Sequence, residues 1–89
     1  MASMILKIVN EKGLHARASA RFVEVVEAHD AMATVTKDGM EVSGDSIMGL
    51  LMLAASRGTS IEVRTSGAQA AELAGALGAL VANRFGEDR

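Results

Sequence analysis

The stretch Met32-Ala33-Thr34-Val35-Thr36-Lys37-Asp38-Gly39-Met40-Glu41-Val42-Ser43 decides the architecture. Residues 32–37 alternate Val and Thr with their neighbours, the period of a strand, and residues 40–43 resume extended character. Asp38-Gly39 stands between them. Both central residues of a type I′ turn need positive φ, and Asp-Gly supplies them, so the two runs predict an antiparallel hairpin.

Upstream of the hairpin, residues 4–9 are short, apolar and rich in β-formers, a first strand. Residues 10–13 are polar and end in Gly13, a loop. Residues 16–28 carry Ala18, Phe22, Val25 and Val26 at the spacing of one helix face, with Arg21, Glu24 and Glu27 on the other. Downstream, Ser46 is suited to cap a helix over the apolar run 47–55. Arg57 is then expected in its last turn and Gly58 as its stop. Residues 60–65 alternate around Ile61 and Val63, a fourth strand. Ala70, Leu73, Ala74, Leu77, Val81 and Arg84 trace a last helix stripe that Gly86 ends. Gly75 and Gly78 within it each cost about 1 kcal/mol relative to Ala, and a close approach of helix to sheet would explain them. Residues 87–89, Glu87-Asp88-Arg89, read as a frayed tail. The order βαββαβα predicts an α+β fold, a two-layer open-faced sandwich forming one domain over residues 1–89.

Composition narrows the function. The 89 residues contain no cysteine, which excludes disulfides and thiolate metal sites. Nine basic and eleven acidic residues give a net charge of −2, with no basic patch for nucleic acid. Trp and Tyr are absent and Phe occurs twice, so a stacking platform for single strands is missing. Residues 1–4 lack the charged and apolar regions of a signal peptide. The longest apolar-plus-glycine run, residues 73–82, is ten long, where a membrane span needs roughly 18. The expectation is a soluble cytoplasmic protein, away from membranes and nucleic acid.

The chemistry is concentrated in Gly13-Leu14-His15-Ala16-Arg17-Ala18-Ser19-Ala20. His15 stands between a Gly-ended loop and a helix start. Backbone N–H groups of a first helical turn have no intrahelical partner, and with the helix dipole they favour an anion. Arg17 can add a guanidinium fork suited to phosphate oxygens. Positive surroundings disfavour imidazolium, leaving a ring nitrogen free as a nucleophile. The competing reading is a surface or capping histidine with an arginine two residues away by chance. No cofactor and no metal are called for, since phosphoryl transfer to imidazole is mostly positioning and charge stabilisation. His29, near the end of the first helix, suits its dipole and is given no catalytic role. Glu24, Glu27, Glu41, Asp45, Glu62 and Glu72 are scattered and read as solvated.

These residues resemble the HPr family, the histidine-containing phosphocarriers of the bacterial phosphoenolpyruvate-dependent phosphotransferase system. Gly13-Leu14-His15-Ala16-Arg17 matches the family's active-site motif. Ser46-Ile47-Met48-Gly49-Leu50-Leu51 matches the segment where the family has a regulatory serine and its partner-docking surface. Element order and motif spacing agree over essentially the whole chain. The resemblance implies a four-stranded antiparallel sheet covered on one face by three helices. It implies that His15 takes phosphate from Enzyme I and passes it to an Enzyme II-type domain, with Arg17 steadying the group. One departure is Ala18, where many members carry Pro.

With Leu50 and Leu53 facing the core, Ile47, Met48 and Leu51 would face outward or sit at the rim. Together with Ala16 and Ala20 they form the expected docking surface; the alternative is ordinary core residues of a buried helix. Ser46 is a cap and, by resemblance, a target for a serine kinase and phosphorylase. A monomer is the default for a carrier that must leave each partner. Two other readings stay open. One is a regulatory binding module whose phosphorylation at His15 or Ser46 is read by partners without sugar transport. The other is a structural interaction domain in which His15 only caps a helix.

Overall fold

The Asp38-Gly39 turn is built as its composition predicts. In the computed structural model φ is +51° at Asp38 and +82° at Gly39, and Lys37 pairs with Met40 across them. The structure describes residues 2–89; Met1, within the stretch read against a signal peptide, lies outside the described residues. The elements are β1 (Ala2–Lys7), α1 (Ala16–Glu27), β2 (Met32–Lys37), β3 (Met40–Ser43), α2 (Ile47–Met52), β4 (Ser60–Ser66) and α3 (Ala70–Ala82), followed by a short 3₁₀ turn, Arg84–Gly86.

All the strand pairings are antiparallel, in the order β1-β4-β2-β3. Register sorts the side chains. Val35 and Val63 pair across β2 and β4 and are fully buried, with Ile61 beside them on the same face. Their neighbours Thr36, Glu62 and Ile5 fall on the open face, where Arg64 pairs with Glu41. The inner face is closed by Phe22, Val23 and Val26 of α1, Leu50 of α2, and Leu73, Leu77 and Val81 of α3. Helices thus cover one face of a sheet whose other face stays wet, the expected open-faced sandwich.

The elements differ from the sequence reading at several points. First, β1 runs over Ala2–Lys7 rather than residues 4–9, because its pairing with β4 begins at Ala2↔Thr65 and ends at Lys7↔Ser60. Secondly, α1 turns Val23 inward and leaves Val25 half-buried. Thirdly, α2 stops at Met52 instead of running on to residue 55. Leu53 caps it and Ala54 takes φ +51°, which turns the chain so that the Ala55 carbonyl accepts the Leu14 N–H at 2.8 Å. Arg57 and Gly58 therefore lie in the turn leading to β4. Lastly, α3 ends at Ala82. Its glycines do not tighten it onto the sheet: a Cβ at Gly75 would meet open space, and one at Gly78 only ordinary contact with Leu6 and Met4 at 3.9 Å. Among the described residues no helix is long and apolar enough to cross a membrane.

Candidate functional site

The site begins with a loop tied shut by Asn10. This side chain is fully buried, and its Nδ2 donates to the Gly13 carbonyl at 2.8 Å. Gly13 has φ +66°, and a Cβ there would fall 2.5 Å from the Ala55 carbonyl oxygen. The loop therefore lies flat against the chain leaving α2, and Leu14 is buried beneath it. Ser19 reinforces the bend, its hydroxyl donating to the Leu14 carbonyl at 3.3 Å.

His15 emerges from this loop as the N-cap of α1, with extended backbone. Its carbonyl accepts the first intrahelical bond, from Ser19 N–H at 2.8 Å. The amides of Ala16, Arg17 and Ala18 therefore precede the ladder. The Arg17 amide donates to His15 Nδ1 at 3.3 Å. In the neutral ring, Nδ1 thus keeps a lone pair directed at the helix start, which leaves Nε2 as the nitrogen to carry the proton. The ring is 26% exposed, open on one side.

Nε2 meets Glu87, a residue the sequence reading placed in a frayed tail. That expectation is corrected. The Glu87 side chain is 12% exposed, and Asn10 Nδ2 also donates to it, at 3.0 Å. Partial burial pushes the Glu87 carboxyl up. The hydrogen bonds from Asn10 and His15, with the charges of His15 and Lys12, more than offset this and hold it below the usual carboxylate range. The sequence reading surrounded His15 with helix-start amides, the helix dipole and Arg17 and gave it no carboxylate; the contact is 72 residues away along the chain, where no local pattern could show it.

Glu87 also borders an open cleft of about 470 Å³ of mixed charge, lined by Lys12, Arg17, Arg21 and Arg89 together with Glu11 and Asp88. On the other side a shallow groove of about 320 Å³ joins His15 to Leu51 and Ala54. Leu50 and Leu53 point into the core as expected, while Ile47 is 40% and Met48 69% exposed. Leu51 and Ala20 are half-buried and Ala16 is exposed. Met52, 63% exposed, extends the apolar surface beyond the expected residues. Ser46 caps α2, accepting the Gly49 N–H at 3.0 Å. His29 sits apart, its Nδ1 2.7 Å from the Val25 carbonyl at the end of α1.

Comparison with known proteins agrees with this geometry. A family model described as the PTS HPr component phosphorylation site matches residues 2–83. The chain is 46% identical over 87 residues to the phosphocarrier protein HPr of Neisseria meningitidis, covering 98% of each. It is 36% identical over 84 residues to the phosphocarrier protein NPr of Escherichia coli, covering 93% of each. The crystal structure of HPr from Thermoanaerobacter tengcongensis superposes with a TM-score of 0.94 at 34% identity, covering 100% of both chains. A histidine held at a helix start, an apolar surface beside it and a full-length match to phosphocarriers lead to one assignment: the chain belongs to the HPr family, the phosphocarrier proteins of the phosphotransferase system.

Proposed function

We propose that His15 is the residue that carries the phosphoryl group. The observation behind this is the ring's orientation: Nδ1 keeps its lone pair toward the Arg17 amide, while Nε2 is engaged by Glu87. A phosphoryl group on Nδ1 would meet the amides that precede the helix ladder, the positive end of the α1 dipole and the Arg17 guanidinium. In the transfer, the Nδ1 lone pair forms the N–P bond as the donor's bond to phosphorus breaks, and the donor keeps that electron pair. Onward transfer is the reverse with an acceptor nucleophile. Enzyme I, charged by phosphoenolpyruvate, is the donor and an Enzyme II-type domain the acceptor, in the cytoplasm, with the carrier acting as a monomer.

Ile47, Met48 and Leu51, with Ala16 and Ala20 beside His15, form the surface on which both partners dock in turn. Met suits this task because it repacks easily. Ser46 is the regulatory position: a phosphate there would set its charge against an acidic partner at Ile47 and Met48. Similarity to NPr as well as HPr favours a second reading, in which the chain serves the regulatory, nitrogen-type branch and partners read its phosphorylation state.

The test is to mix the protein with phosphoenolpyruvate, magnesium and a cognate Enzyme I. Acid-labile label is expected, lost in His15→Ala while the circular dichroism spectrum is kept. Label that survives His15→Ala would reject the assignment, and the acceptor captured from the labelled protein would separate the two branches.

A further inference from the structure

The segment after α3 is built, and built at some cost. Arg84 and Phe85 both take left-handed backbone, φ +55° and +54°, and Gly86 follows at +80°. Such backbone at two non-glycine residues persists only where the surroundings over-determine it. Here they do. The Phe85 ring is fully buried in the core, and Arg21 Nη1 donates to the Phe85 carbonyl at 2.5 Å. Gly86 lies so close to the Arg21 guanidinium that a Cβ would collide with it. Beyond Glu87, the Glu11 N–H donates to the Arg89 carbonyl at 3.1 Å.

What this clasp delivers is the Glu87 carboxylate. One oxygen accepts from Asn10 Nδ2 and the other meets His15 Nε2. Asn10 thus ties the carboxylate and the His15 loop together through one buried amide. The clasp lies outside residues 2–83, the span that the family model matches.

We propose that Glu87 is a positioning residue for the chemistry of His15. Its carboxylate holds the proton on Nε2, so that the neutral ring presents Nδ1 as the nucleophile. When Nδ1 forms the N–P bond, the ring keeps its Nε2 proton and becomes positive, and the Glu87 carboxylate compensates that charge. When the phosphoryl group leaves, the N–P electron pair returns to Nδ1 and the same neutral tautomer is restored. A carboxylate that orients a histidine through its far nitrogen is a familiar device in triads and metal sites. This role rests on the phosphocarrier reading of His15; the orientation of the ring does not.

The test combines ring nitrogen spectroscopy with transfer kinetics. At about pH 8.5, where an imidazole is neutral, ¹⁵N shifts of the unphosphorylated protein should show a single Nε2–H tautomer. In Glu87→Ala the two tautomers should mix. Phosphorylation by Enzyme I should slow on the order of ten- to a hundredfold, as when the orienting partner of a ligating histidine is removed. Gly86→Ala, which puts a Cβ on left-handed backbone against Arg21 and so displaces the clasp while Glu87 itself is unchanged in sequence, should move both readouts in the same direction. An unchanged tautomer and rate in Glu87→Ala would overturn the proposal, as would a mixed tautomer in the wild type. If the wild type takes no label from an active Enzyme I, the phosphocarrier reading fails, and the tautomer comparison still judges what Glu87 does.

Discussion

Asn10, Gly13 and Glu87 set the geometry around His15 through the loop, the close approach to Ala55 and the contact to Nε2. Gly13 is the residue whose substitution is most predictable. Left-handed backbone and a Cβ 2.5 Å from the Ala55 carbonyl oxygen should make Gly13→Ala destabilising by about 2 kcal/mol or more, measured by urea unfolding. Glu87 gives a prediction with a sign in pH. Its carboxyl is held below its ordinary value in the folded protein, so the stabilisation it contributes is complete above the unfolded chain's carboxylate range. That contribution is lost as pH falls through the lower folded value. The stability difference between wild type and Glu87→Gln should therefore persist at neutral pH and vanish well below about pH 4.3. A difference that survives undiminished at pH values where the Glu87 carboxyl is protonated would contradict the contact. At this scale the sequence showed where His15 and Arg17 stand on the fold. His15 and Arg17 were legible because local spacing puts them at a helix start. Glu87 and Asn10 were not, because their meeting depends on the path of the whole chain back from α3.

The helices carry the work of presentation. α1 offers its first turn through the N-cap His15, and α2 offers its apolar outer side. Ser46→Ala should cost about 1 kcal/mol by removing the bond to the Gly49 amide. Ser46→Asp should keep the cap and the stability, and it should weaken binding to Enzyme I through its charge. Unchanged affinity in a titration would remove Ser46 from the regulatory account. Met48→Lys, at a position 69% exposed, should leave stability within about 0.5 kcal/mol while reducing affinity for Enzyme I. Element boundaries were legible where turn chemistry fixes them: Asp38-Gly39 set the hairpin to the residue, and Ser46 set the start of α2. The end of α2 was missed because apolar character runs on through Ala55 while Ala54 turns left-handed. That turn answers a tertiary demand, the bond from Leu14, to which helix periodicity is blind.

For the whole molecule, the open-faced sandwich explains why so small a chain can hold a strained site. One sheet face and three helices share a core that includes both phenylalanines. Phe22 anchors α1 behind His15, and Phe85 anchors the clasp that returns Glu87 to it. The C-terminal segment and α1 are thus tied to the same site through the core. Period-2 and helical patterns, the hairpin and the element order made this architecture readable from the sequence. The order β1-β4-β2-β3 and the clasp are products of long-range packing that no local window contains.

The central claim is that Nδ1 of His15 carries phosphate while Nε2 stays on Glu87. The measurement that tests it most directly is ³¹P–¹⁵N coupling in the phosphorylated, histidine-labelled protein. The account predicts phosphorus coupled to Nδ1 of His15, with the proton retained on Nε2. Phosphorus coupled to Nε2, or to no His15 nitrogen at all, would contradict it.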